Sequence, residues 1–533
     1  MQMSRRRFLA LSATFVAGCT TSEGAGSDTT LSPTTASPAS TSTSTTSTTS
    51  TSTTSTSTTS TTTTTEPEPE LEVNPFTLGV ASGDPEASSV VLWTRLTGDL
   101  PSAGVTVEWR ATATGGTEVA RGEFTTGALL GGAVRVIADI DQPVDYQFFA
   151  GGWASPVGRT APLVAADELR IASASCQHFE SGFYAAHRDL AEWAPDLVLF
   201  LGDFIYEGDA RPIGDDRVRA HEGPEPTDVA GYRARYATYL GDPQLQSARA
   251  AAPWICIWDD HEVENNYAGL VSEDDADVDV FARRRADAYR AWWENMPTRL
   301  PPPEGGVDFE IYRGTDVPGT DGADLLRLSM LDGRQFRSDQ VCETTFDLGP
   351  PCAGSDDPAR TMLGAAQEAW IADRFASTAA TWNCVAQQTV LSDLRFGDVG
   401  AILNYDQWDG YAPARDRLLA APPSGLVVLT GDIHLGGVGL VGPLDAPVGV
   451  EFVTTSISSA GNVPVDFAPV VEGFENIVAA DLVHRGYTRH TVTQQAWTAE
   501  YRTVDDITDP ESAVSTWRTF TVPAGAVAVT GDP

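Results

Sequence analysis

The chain has 533 residues, 73 acidic against 34 basic, for a net charge of −39. Every basic residue is arginine, and so large a negative surplus excludes nucleic-acid binding through bulk charge, because the phosphate backbone would be repelled. At this length two folded units are expected, 41% hydrophobic content is enough for large cores, and an anionic substrate could be held only by local cations.

Residues 1–19 read as a targeting segment. Arg5-Arg6-Arg7 precedes Phe8-Leu9 and an apolar run to Gly18, too short for the roughly 20 residues a bilayer span needs. The pattern from Ser4 to Leu9 resembles a twin-arginine export signal, so the twin-arginine machinery is an expected partner. Val16-Ala17-Gly18-Cys19 resembles a lipoprotein cleavage box with Cys19 lipidated. An extracytoplasmic location follows, lipid-anchored at the cell surface or secreted, with membrane contact only through the anchor. Residues 20–71 are almost all Ser, Thr and Pro at first and cannot bury a core, so they are expected to be a disordered linker.

Residues 72–165 read as all-β. Val90–Trp93, Val105–Trp109, Gly122–Thr126, Val134–Ile137 and Tyr146–Phe149 are short, β-branched or aromatic runs between Gly, Pro and Asp turns, as in a small sandwich of the immunoglobulin or fibronectin kind. From residue 168 to 506 the texture changes to an α/β domain. Strand-like Leu169–Ser173, Leu197–Leu201, Trp254–Trp258, Leu325–Leu331, Asn383–Val390, Leu426–Thr430 and Gly449–Thr454 alternate with helical Phe183–Ala194, Tyr232–Leu240, Ala282–Asn295 and Gly364–Ser377. Residues 507–533 are left as a C-terminal tail without a placement.

Three of these apolar strands end in carboxylates: Leu197 to Gly202-Asp203, Trp254 to Asp259-Asp260-His261-Glu262, and Leu426 to Gly431-Asp432-Ile433-His434. A single Gly-Asp after a strand is usually a turn or an N-cap. Three in order, two with histidine close by, point instead to one cation site beyond the carboxyl ends of a sheet, since a carboxylate there is costly to bury unpaired.

These blocks resemble the calcineurin-like metallophosphoesterases, with specific departures. Cys176, in Ala172-Ser-Ala-Ser-Cys-Gln177, stands where Asp-x-His is expected, Asp260 where Asn is expected, and Gly-Asp-Ile-His replaces Gly-His-x-His. Together with Tyr206, Trp258–Asn266, Leu331–Arg337, Ser456–Ala460 and Gly79–Asp84, the departures resemble the PhoD-like alkaline phosphatases over about residues 74–505. The resemblance implies a metallophosphatase-type β-sandwich core with flanking helices behind the N-terminal β-domain. It also implies a centre of Fe3+ with Ca2+: Cys176, Asp203 and Tyr206 as iron ligands with Asp203 bridging, and Asp260, Asn265 or Asn266, Asp432 and His434 as further ligands. Thiolate and phenolate suit ferric iron, and carboxylate and amide oxygens suit calcium.

The activity so implied is hydrolysis of small phosphate esters, mono- or diesters, by direct attack of a metal-bound hydroxide or oxide. His261 is a candidate proton donor to the leaving group or a metal or phosphoryl contact, and Arg334 and Arg395 are candidate phosphate contacts, each with a structural ion pair as its alternative. Two other functions stay in view: a phosphodiesterase for phospholipid or teichoic-acid backbones, and a non-catalytic calcium-binding surface protein. Cys342 and Cys352 bracket a Gly/Pro-rich loop and form a plausible disulfide, Cys256 and Cys384 are expected as buried thiols, and a monomer is expected.

Overall fold

The computed structural model describes residues 71–214, 217–305, 308–342, 349–471 and 473–531. The expected export signal, Cys19 and residues 20–70 of the expected linker lie outside the described residues. Glu68–Pro533 form one compact unit.

Three short strands make the heart of the first sheet. Leu197–Phe200, wholly buried, runs parallel to Glu168–Ala174 on one side and to Pro253–Cys256 on the other, with Val198 opposite both Ala172 and Trp254. Continuous apolar runs of this kind are buried on both faces. The second sheet repeats the device: Asp324–Met330, Trp382–Ala386, Leu426–Thr430 and Gly449–Val453 lie side by side in parallel. Among the described residues the first sheet has ten strands and the second seven. One core, drawing Ile171, Leu199 and Ile255 from the first and Leu328, Leu429 and Phe452 from the second, fills the space between them. Truncating a leucine such as Leu199 to alanine in such a core costs about 2–5 kcal/mol. Helices flank the sheets, several capped by acidic side chains: Asp228 accepts from the Gly231 N–H ahead of Val229–Leu240, and Asp242 from Gln244 and Leu245 ahead of Pro243–Ala251.

Strands of the N-terminal segment join the main sheet. Val80–Gly83, Ser89–Arg95 and Ala133–Asp139 extend the ten-stranded sheet, with Ser82 and Gly83 paired in parallel to Pro253 and Trp254. Val105–Ala113, Glu118–Thr126 and Val144–Ala150 belong to a five-stranded sheet. A second core containing Leu92, Val107, Val134 and Phe148 closes between the two layers. One layer of the sandwich is therefore shared with the rest of the chain. Asp84 fastens the join: its carboxylate accepts from Thr298 Oγ1 at 2.6 Å and from Arg313 Nη2 at 2.8 Å.

The segment after residue 506, unplaced from sequence, completes the other edge. Val514–Pro523 pairs antiparallel with Ala496–Val504, and Thr530–Gly531 adds to it. Among the described residues no helix is long and apolar enough to cross a membrane.

Candidate metal centre

The parallel strands of both sheets discharge their loops at one place. Ala174 leads to Cys176, Phe200 to Asp203 and Tyr206, Cys256 to Asp259 and Asp260, Met330 to Arg334, and Thr430 to Asp432 and His434. The tight exits demand special backbone. Gly202 has φ +110°, and a Cβ there would lie 2.4 Å from that of Asp259. At Gly431 a Cβ would meet Ser175 Oγ at 2.6 Å. Among the described residues eight non-glycine positions have positive φ, and five of them are Cys176, Asp203, Asn266, Asp432 and His434. Left-handed backbone at such residues costs on the order of 1 kcal/mol or more each and persists where the surroundings over-determine it, often at functional sites.

The side chains converge. Ligand atoms of Cys176, Asp203 and His434 lie within 4.8 Å of one another, as do those of Asp203, Asp260 and His261, and those of Asp259, Asp260 and Asp432. Tyr206 Oη donates to Asp203 Oδ2 at 2.7 Å and lies 3.2 Å from His434 Nε2. His434 gives its Nδ1 hydrogen to the Ala460 carbonyl at 2.6 Å, which leaves Nε2 with a lone pair facing the cluster. The His261 ring packs on Tyr206 with centroids 4.1 Å apart, and its Nδ1 is held by Glu207 Oε2 at 2.7 Å.

Charge is the strongest argument that cations belong here. Asp203 Oδ1, Asp260 Oδ1 and Asp259 Oδ2 are buried without a hydrogen-bond partner. Burial pushes the Asp203 carboxyl well up, reinforced by Asp260 and Asp259 against the opposing pull of His261. Burial likewise lifts the Cys176 thiol and the Tyr206 phenol, with Asp203 adding to both, and raises Asp432 to about 7. His434 is pushed down to about 3 by burial, so its ring is neutral. A bound cation reverses these four upward shifts, satisfies the orphaned oxygens and matches the neutral imidazole. The donor set therefore fits metal ions.

Asn265 and Asn266 stand beside this cluster. The Asn266 N–H donates to Asp260 Oδ2 at 2.6 Å, the Asn265 N–H to Glu207 Oε1 at 3.0 Å, and both side-chain amides donate to Glu273.

Both arginines need correction. Arg334 is fully buried, and its guanidinium serves Asp259, Asp406 at 2.8 Å, Asp432 at 3.3 Å and Asp260 at 3.6 Å. It is an internal counter-ion for the acidic cluster, with its donors committed to protein. Arg395 is exposed and forked onto neighbouring Asp393, in a cleft with Cys352 and Asp416. Neither is set as a phosphate contact. Cys342 and Cys352 are disulfide-bonded with Cα atoms 6.4 Å apart, and Cys256 and Cys384 are buried thiols.

Several working residues lie outside the candidate ligand set. Glu262 accepts the Asp203, Phe204 and Asp259 N–H groups at 3.1, 2.6 and 2.8 Å and so joins two of the carboxylate loops. Gln407 bonds Asp432 Oδ2, and Asp406 bonds both Arg334 and Arg337. His178 packs edge-on against Tyr206 at 4.6 Å between centroids. Glu262 had a signal, its place in the Asp259-Asp-His-Glu262 run, whereas Asp406 and Gln407 come from a loop with no motif of its own.

Comparison with known proteins decides the family. The PhoD-like phosphatase profile matches residues 171–501, and the profile of that family's N-terminal domain matches residues 60–163. The chain belongs to the PhoD-like phosphatases. Alkaline phosphatase D of Bacillus subtilis (strain 168) is 37% identical over 494 residues, 85% of this chain and 81% of the relative. A solved structure of PhoD superimposes with a TM-score of 0.81 at 36% identity, covering 87% of this chain and 93% of that one. A purple acid phosphatase from yellow lupin (Lupinus luteus) seeds, at 12% identity and TM-score 0.51 over 83% and 74% of the two chains, shares the fold alone. The metallophosphatase-type fold is thus established, and this PhoD-like chain is a phosphoester hydrolase. The reading as a non-catalytic calcium-binding protein falls away.

Proposed function

We propose that the chain is an extracytoplasmic phosphomonoesterase or phosphodiesterase working through ferric iron and calcium. The single observation that carries this is the division of donors. Cys176 and His434 gather with Asp203 and the Tyr206 hydroxyl, while Asp203 also groups with Asp260, whose oxygens gather with those of Asp259 and Asp432 and take the Asn266 N–H. A thiolate and a phenolate suit a trivalent transition metal, and hard oxygens suit calcium. Asp203, which belongs to both groupings, would help to hold both ions.

When bound, the metals would neutralise phosphoryl oxygens and lower the pKa of an attacking water. The chain's own groups do the rest. Glu207 accepts the Nδ1 hydrogen of His261 and, with Asp203 and Asp260, favours the imidazolium against the penalty of burial. His261 Nε2–H is then free to give a proton to the leaving oxygen. Among the described residues no serine or threonine stands in the clusters of candidate ligands, and on this reading water is the nucleophile. Arg334 holds the acidic cluster together from beneath.

Metal analysis with activity assays tests this reading. Iron and calcium should co-purify, and a calcium chelator should abolish turnover reversibly. Full activity in excess chelator would end the mixed-metal proposal. Comparing a nitrophenyl monoester with the bis-nitrophenyl diester separates a general phosphatase from a dedicated phosphodiesterase. The location rests on the Arg5–Arg7 and Cys19 patterns. Cell fractionation should find the chain membrane-bound and Cys19→Ala released.

A further inference from the structure

The run Ser456-Ile-Ser-Ser-Ala460 leaves the strand Gly449–Val453 and lies against the Cys176 loop. Ser456 bridges in parallel to Ser175. The Ile457 N–H donates to the Ser175 carbonyl at 3.0 Å and the Ser459 N–H to the Cys176 carbonyl at 3.2 Å. Ser458 Oγ donates to the His178 carbonyl at 3.0 Å. The Ala460 carbonyl takes the His434 Nδ1 hydrogen at 2.6 Å. Ser459 Oγ, on a residue only 2% exposed, accepts the His178 N–H at 3.1 Å and lies 2.7 Å from the Cys176 carbonyl and 2.8 Å from Tyr206 Oη. Five consecutive residues thus touch Cys176, Tyr206 and His434 at once.

We propose that this loop is the template for the iron side of the centre, and that Ser459 is a positioning residue whose hydroxyl donates to Tyr206 Oη. The inference rests on Tyr206 being an iron ligand. A metal-bound phenolate has no hydrogen to give and needs a donor. Of its neighbours, Asp203 Oδ2 is an acceptor, and His434 has committed its ring hydrogen to Ala460. Ser459 has the hydrogen. Its other acceptor, the Cys176 carbonyl, already receives the Ser459 N–H, and a charged oxygen is the stronger acceptor. Partners outside the ligand shell fix ligand orientation and tune its electronics, and their loss typically costs 10–100-fold in metal affinity.

A phenolate on ferric iron absorbs visible light by charge transfer, and the energy follows the donor strength of the oxygen. In the full chain as isolated, Ser459→Ala should move this band to longer wavelength and lower iron affinity about 10–100-fold in chelator competition. Ser459→Thr, which keeps the hydroxyl, should restore both. Resonance Raman of the unaltered protein provides a test without substitution: the phenolate C–O stretch should shift in D2O. An unmoved band in iron-loaded Ser459→Ala, or an unmoved stretch on exchange, would overturn the role of Ser459 while leaving the iron reading intact. A colourless, iron-free wild-type protein would overturn the iron reading and this inference with it.

Discussion

Arg334 Nη2 lies 3.3 Å from Asp432 Oδ1, while the same buried guanidinium engages Asp259 and Asp406. A single internal cation therefore stabilises carboxylates that the sequence places on three separate loops. Removing it strands buried charge, which costs about 3–5 kcal/mol. Arg334→Met should lower the melting temperature strongly in chelator, and added calcium should recover part of the loss. Equal melting of variant and wild type in chelator would contradict this.

Glu207 holds His261 with one oxygen at 2.7 Å and the Asn265 N–H with the other at 3.0 Å. Burial opposes its ionisation, but the charge and hydrogen bond of His261 and the Asn265 N–H hold it at about 2. In Glu207→Gln only one amide oxygen remains to accept. kcat should fall about 10–100-fold with KM little changed, as for other partners of site residues. A rise in KM with kcat intact would show that His261 serves binding rather than turnover.

Glu273 accepts from the side-chain amides of both Asn265 and Asn266, so its carboxylate turns their carbonyl oxygens the other way. Glu273→Gln can donate as well as accept and loses this sorting. The calcium concentration at half-maximal activity should rise about tenfold or more, with iron content unchanged. An unmoved calcium midpoint would rule out the orienting role.

His187 and His490 are fully buried and neutral, with folded pKa values near 3 set by burial. His187 faces Gln177, Tyr184 and Trp254; His490 faces Ser173, Phe452 and Trp497. Their folded values lie below the unfolded value of about 6.5. Above pH ~6.5 both states are neutral and nothing is lost. As pH falls from there toward 3, only the unfolded chain takes up the protons, and stability falls by about 1.4 kcal/mol per pH unit for each histidine. His490→Gln should flatten the stability slope between pH 6 and 4 by about that amount in denaturant titrations. An unchanged slope would contradict the assignment.

The sheet-forming runs were legible because buried strands are apolar throughout: Leu197–Phe200 and Leu426–Thr430 stand out by composition alone. The carboxylates at their ends were legible for the same reason, standing against an apolar background. What was not legible depends on contacts far apart in sequence. The parallel pairing of Ser82 with Pro253 spans 171 residues and fuses the N-terminal segment to the main sheet. Whether Arg334 meets phosphate or carboxylate is decided by Asp259, Asp406 and Asp432 folding around it, and no local pattern encodes that. Ser459 shows the intermediate case: its run was conspicuous, but its purpose needed the position of Tyr206.

The central claim is that Cys176 and Tyr206 make this a ferric site and not a generic two-metal one. Elemental analysis of purified wild type and Cys176→Ala tests it most directly. The account predicts iron together with calcium in the wild type, and a folded, colourless Cys176→Ala protein that has lost its iron. Wild type with calcium but no iron, or Cys176→Ala with iron undiminished, would contradict it.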